Sequence, residues 1–259
     1  MKLAGKTAIV TGSGTGIGKA CARRLAKEGT IVVVAERSEF NGRPAADEIL
    51  ASGGQAVFIR CDVSIEEDVK TLINRTVEMY GTLDILVNNA GVPGAVKSVS
   101  ELTLEEWRSA MIINLDGTFL CCKHALRVMM EKKNGVIINM ASVSGKRPMP
   151  LRSPYTTSKM GVIGFTRTLA AEVGRFNIRV NAVCPGSVTG QRQQTVFKGI
   201  MKSTGMSLEE VKKMKVETSA LKSFVDPEDI ASLVVFLASD ESSKITGQDI
   251  NVSAGSVMY

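Results

Sequence analysis

Short apolar runs, most of them continuous, punctuate the chain at residues 7–10, 31–34, 56–59, 85–87, 136–138 and 180–183. Runs of this length, rich in Val and Ile, predict strands, and their lack of alternation predicts cover on both faces. Between them lie stretches of helical spacing near residues 17–28, 42–53, 65–80, 103–131 and 154–175. Strand-then-helix order, repeated, predicts parallel strands joined by right-handed crossovers, hence a doubly wound α/β sheet. The rhythm breaks over residues 187–222, which hold few strand-like runs and many Met, Lys and Ser. Asp226 followed by Pro227 then predicts a capped helix start, and a last strand is expected near residues 248–252. Without a repeat or linker, the chain reads as one domain over residues 1–259. Residues 187–222 form its irregular segment, either a mobile lid hinged at Gly190, Gly199 and Gly205 or a permanently packed helix.

Composition narrows the function classes. The chain has 259 residues, 22% charged and 44% hydrophobic, which suits a globular α/β domain. Its net charge of +6 comes from scattered Lys and Arg with no aromatic stacking platform, which argues against nucleic acid. Five cysteines without a CxxC pair, and a single histidine (His124), argue against a metal site and for reduced thiols. The N-terminal residues lack a signal-like apolar core, and no apolar run is long enough to span a bilayer. A cytoplasmic protein without a membrane partner is expected.

The first strand runs into Gly12, Ser13, Gly14, Thr15, Gly16, Ile17 and Gly18, and then into a helix. Glycines let a backbone turn sharply beside a pyrophosphate, and a following helix offers it unpaired N–H groups. The spacing is not GxGxxG. Its position, at the first βα turn of an open sheet, is where dinucleotides bind. The second strand ends in Glu36, about 20 residues further on, where a carboxylate holds ribose hydroxyls and repels a 2′-phosphate. That points to NAD. Arg37 follows at once and suits a 2′-phosphate, so NADP stays open.

Ser142 follows the strand near residues 136–140, and Tyr155 and Lys159 stand four apart on one helical face. Free tyrosine is almost wholly protonated near neutrality. An ammonium about 4 Å away, at an effective dielectric of about 20, favours a phenolate by about 4 kcal/mol. Such a pair suits general acid/base work near pH 7.

With these residues together, the chain resembles the short-chain dehydrogenase/reductase family. The resemblance rests on Thr11-Gly12-x-x-x-Gly16-Ile17-Gly18, Asp62-Val63, Asn88-Asn89-Ala90-Gly91, Asn114, Ser142, Tyr155-x-x-x-Lys159 and Pro185-Gly186, in that order. It implies a Rossmann-like sheet and hydride transfer between a nicotinamide cofactor and a carbonyl or alcohol carbon. It implies that Tyr155 is the acid/base, that Lys159 favours its phenolate and binds the nicotinamide ribose, that Ser142 binds the substrate oxygen, and that Asn114 holds a relay water. Asp62 and Val63 are implied adenine contacts, and Asn88, Ala90, Gly91, Pro185, Gly186 and Val188 further cofactor contacts. For Asn88 and Asn89 a second reading, as braces between strands, stands equally. A homodimer or homotetramer is implied, through apolar faces of residues 103–131 and 154–175.

The chain departs from the family in two places. Thr189 stands one position before the usual carboxamide-binding threonine, with Gly190 in its slot, and Ser253-Ala254-Gly255 replaces an Asp-Gly-Gly. The substrate side is unusually basic, with Lys146, Arg147, Arg152, Arg192, Lys198 and Lys202. These are either a solvated face or, at Arg147, Arg152 and Arg192, a grip on an anionic substrate. The leading expectation is an NAD(H)-dependent secondary alcohol dehydrogenase or ketone reductase. The alternatives are an NADPH-dependent 3-oxoacyl-[acyl-carrier-protein] reductase and a non-catalytic nucleotide-sensing member.

Overall fold

The computed structural model describes residues 1–259, the side chain of Arg192 excepted. The apolar runs form β1 (Thr7–Thr11), β2 (Ile31–Glu36), β3 (Gln55–Arg60), β4 (Ile85–Asn88), β5 (Gly135–Met140), β6 (Ile178–Pro185) and β7 (Asp249–Val252). They pair in one parallel sheet in the order β3-β2-β1-β4-β5-β6-β7. The winding reverses between β1 and β4, so the crevice beyond their carboxyl ends is the ligand-binding position of such a sheet.

Side chains alternate between two buried layers, which explains the unbroken runs. Ala8 and Val10 of β1 join one core and Ile9 the other; Val32 and Val34 of β2 oppose Val33 and Ala35 in the same way. The first core is roofed by α1 (Gly16–Lys27), α2 (Glu39–Ala51) and α9 (Pro227–Ala238). The second is covered by α3 (Glu66–Tyr80), α5 (Gly117–Lys132) and α6 (Ser153–Val173). Pro227 opens α9, and the Asp226 N–H donates to Asp229 at 2.9 Å. His124 is buried on α5 and bonds Glu66 Oε1 of α3 at 2.8 Å, a structural position.

Two expectations need correction or refinement. The single helix expected over residues 103–131 is interrupted: α4 (Leu104–Met111) passes into π-helical Ile112–Asp116 before α5 begins. Residues 187–222 carry two helices, α7 (Gln191–Thr204) and α8 (Leu208–Glu217), each with one buried anchor, Phe197 and Val211. Among the described residues, no helix is long and apolar enough to cross a membrane.

Candidate active site

A cleft of about 550 Å³ runs across the carboxyl ends of the strands. At one end β1 turns at Gly12, whose φ of +62° suits glycine. A Cβ there would stand 2.8 Å from the Ala90 Cα, so the turns after β1 and β4 touch. Asn89 locks them: its Nδ2 donates to the carbonyls of Thr11 and Gly12, at 3.0 Å each. Thr11 Oγ1 returns the contact by accepting the N–H groups of Asn89 and Ala90, at 3.0 and 3.1 Å. Gly12, Thr15, Gly16 and Ile17 line the cleft at the start of α1, where Thr15 provides no side-chain cap. Glu36 accepts from the Gly14 and Ser38 N–H groups at 3.3 and 3.1 Å, which fixes its carboxylate against the glycine turn.

Asp62 lies beyond it. Burial opposes its ionisation, yet hydrogen bonds from Ser64, aided by Arg37, hold its carboxyl below the usual range. Arg37 stands 3.6 Å from Asp62 at the exposed rim. A glycine-lined turn at a helix N-terminus, with carboxylates beyond it, fits a dinucleotide.

Several residues expected here stand behind the wall instead. Ser13 is fully buried and donates to the Val10 carbonyl at 2.7 Å. Gly18 packs beneath the Gly12 carbonyl. Asn88 donates to Asn139 Oδ1 on the neighbouring β5 at 2.8 Å, so it braces the sheet and does not line the cleft. Asn89, not Asn88, is the asparagine of this pair that shapes the pocket. Thr189 lines the cleft, but its hydroxyl is bonded to Asp226 at 2.7 Å. Val63, Ala90, Gly91, Pro185, Gly186 and Val188 also line it.

At the other end the reacting groups converge. Ser142 lies just past β5, with its Oγ accepting the Ser144 N–H at 3.1 Å, which leaves its hydroxyl hydrogen to donate. Gly145 lets this turn press on α6: a Cβ there would meet the Lys159 backbone at 2.9 Å. Tyr155 and Lys159 come from the first two turns of α6. Lys159 is buried, donates to the Met140 carbonyl at 2.6 Å, and places its Nζ 5.9 Å from the Tyr155 ring centre. The π-helical turn delivers Asn114, whose Nδ2 donates to the Val92 carbonyl and to Ser158 Oγ, at 3.1 and 2.9 Å. Ser158 in turn donates to the Tyr155 carbonyl at 2.8 Å. Nothing in the sequence singles out Ser158, since a lone serine in a helix carries no pattern.

Of the basic residues, Arg147 and Arg152 line the cleft, and Arg152 stacks 4.9 Å from the Tyr155 ring centre. Lys146 turns away to pair with Asp249 at 2.7 Å. Lys198 and Lys202 are exposed and do not line the cleft. The Arg192 side chain lies outside the described residues. Lys215 of α8 also lines the cleft, a contribution the sequence did not signal. Cys61, at the cofactor end, has its thiol pushed up to about 12 by burial and then by Asp68 and Asp62, so it stays a protonated, weak nucleophile.

Comparison with known proteins agrees with this geometry. A family model described as Enoyl-(Acyl carrier protein) reductase matches residues 12–256. Glucose 1-dehydrogenase 2 of Bacillus subtilis (strain 168) is 38% identical, over 99% of this chain and 96% of its own. A variant of actinorhodin polyketide ketoreductase solved with NADPH superposes with a TM-score of 0.95 at 37% identity, over 98% of each chain. NAD⁺-bound xylitol dehydrogenase superposes with a TM-score of 0.96 at 31% identity, over 98% of this chain and 100% of its own. The chain belongs to the short-chain dehydrogenase/reductase family of NAD(P)-dependent oxidoreductases acting on CH–OH groups.

Proposed function

We propose that this chain moves a hydride between NAD(H) and the reacting carbon of a secondary alcohol or ketone that carries an anionic group. The observation that carries this is the convergence of Ser142, Tyr155 and Lys159 on one end of a cleft whose other end is the glycine turn. A nicotinamide bound along the cleft supplies the hydride acceptor or donor. Tyr155 gives its phenolic proton to the carbonyl oxygen in reduction and takes it back in oxidation. Ser142 donates to that same oxygen, where charge grows. Lys159 supports the phenolate and binds ribose. Asn114 is buried with its side chain fully bonded to Val92 and Ser158, and it fixes the wall behind them rather than holding a relay water. Glu36 is the ribose ligand, which favours NAD over NADP.

Arg147 and Arg152 support the anionic group, and residues 187–222 are the lid over it. Arg37, exposed at the rim, favours one second reading, an NADPH-dependent 3-oxoacyl-[acyl-carrier-protein] reductase. Exposed Leu104, Phe119 and Met160 on α4, α5 and α6 support a homodimer or homotetramer. Light scattering reads the assembly, and a monomer at working concentration refutes it.

The test follows reduced-nicotinamide absorbance with both cofactors across polyols, hydroxy acids, phosphorylated alcohols and acyl thioesters. NAD preference and a loss of about 10²- to 10⁴-fold in kcat/KM for Tyr155→Phe are expected. Undiminished turnover by the folded variant overturns the assignment. NADPH preference with thioester turnover selects the second reading.

A further inference from the structure

The substrate half of the cleft gathers cations from two separate segments, the connection between Ser142 and α6 and the helix α8. Arg147 lies in the turn after Ser142, Arg152 immediately precedes α6, and Lys215 stands on the last turn of α8; all three line the cleft that Tyr155 also lines. The acidic lining residues, Glu36 and Asp62, belong to the opposite, cofactor end. Neighbouring lysines have carboxylate partners. Lys212 and Lys213 of α8 meet Glu209 and Glu217 at 3.0 and 3.8 Å, and Lys146 meets Asp249. Among the described residues, neither Arg147 nor Lys215 has a carboxylate within ion-pair distance. Arg147 has only a long bond, 3.4 Å, to the Ser256 carbonyl, and its buried Nε has no hydrogen-bond partner.

Like charges held together behind a partly buried wall repel one another, and the repulsion grows as water is excluded. It registers at Lys215, whose ammonium is held below the ordinary lysine range by burial and then by Arg147 and Arg152. An anion in the cleft removes that penalty and fills the open Nε donor of Arg147. A guanidinium offers the planar fork that matches a carboxylate or phosphate, and an ammonium adds a point charge. Because Arg152 lies 4.9 Å from the Tyr155 ring centre, an anion on it is next to the reacting carbon.

We propose that Arg147, Arg152 and Lys215 form a three-point oxyanion grip, with Lys215 as the specificity-determining residue that α8 contributes. The grip selects small alcohols or ketones bearing a carboxylate or phosphate close to the reacting carbon. The proposal rests on the hydride-transfer reading above. Three cations match a group of two charges better than one of a single charge.

Two measurements test it. In the first, kcat/KM is compared on 2-butanol, 3-hydroxybutyrate and glycerol 3-phosphate for the parent, Lys215→Gln and Lys215→Arg. The ratio of anionic to neutral kcat/KM is expected to fall about tenfold or more in Lys215→Gln, chiefly through KM, and to stay near the parent's in Lys215→Arg. The phosphate arm is expected to lose more than the carboxylate arm. In the second, calorimetry titrates malonate and inorganic phosphate into protein saturated with its nicotinamide nucleotide, which occupies the glycine turn. The parent is expected to bind both, and Lys215→Gln at least tenfold more weakly. No anion binding by the parent, or equal affinity in Lys215→Gln, overturns the grip even if neutral alcohols turn over. Anion binding without turnover of any alcohol sinks the hydride-transfer reading and leaves the anion site standing.

Discussion

At Asn114 every hydrogen-bonding group of the side chain is used. Its Oδ1 accepts the Val92 N–H at 2.8 Å while Nδ2 serves Val92 and Ser158. Asn114 and Tyr155 are therefore linked through one hydroxyl, that of Ser158, although its own side chain touches no reacting atom. Ser158→Ala leaves a buried amide proton unpaired, which costs about 1–3 kcal/mol. Because the link ends on the Tyr155 backbone, we expect kcat to fall about three- to tenfold with KM little changed. A purely structural serine would lower the melting temperature and leave kcat alone, and that result refutes a positioning role. Tyr155 and Lys159 were legible because four-residue spacing puts two side chains on one face. Ser158 was not, because its importance lies in what it touches.

Among the elements, the strands were the most legible. Burial on both faces demands apolar runs with little alternation, and the chain repeats such runs in alternation with helices. The π-helical turn at Ile112–Asp116 was illegible, because one extra residue in a turn barely alters a hydrophobic period. It is maintained by contacts from elsewhere. Thr118 donates to the Asn114 carbonyl at 2.9 Å, and Gly161 of α6 leaves room for Leu115, whose methyl a Cβ would meet at 2.9 Å. The segment 187–222 stayed undecided between lid and packed helix for a related reason. Each of its helices buries one large apolar side chain, and a single anchor gives no periodicity to read.

For the molecule as a whole, paired carboxylates tie distant elements together and set its response to acid. Glu66 at the start of α3 is held at about 2 by hydrogen bonds from Lys123 and His124 of α5. Asp249 on β7 is also held below its usual range: burial opposes ionisation, but bonds from Lys146 and Arg167 outweigh it. A carboxyl with a folded value below its unfolded value stabilises the fold above its ordinary range. That contribution is lost as pH falls through the folded value. The denaturant midpoint is therefore expected to decline from about pH 5 towards about pH 2, and Glu66→Gln to make the decline shallower. A midpoint flat over that window contradicts these ion pairs.

Local patterns alone determined the parallel sheet, the glycine turn after its first strand, and the tyrosine–lysine face of one helix. Each follows from short-range periodicity, or from its repetition along the chain, where backbone geometry acts directly. Tertiary structure decided the rest, as the adjacent pair Lys146 and Arg147 illustrates. One is neutralised by Asp249, about a hundred residues later, while its neighbour faces the cleft together with Lys215. No spacing rule separates them, because the direction of a charge is set by whichever chain folds back against it.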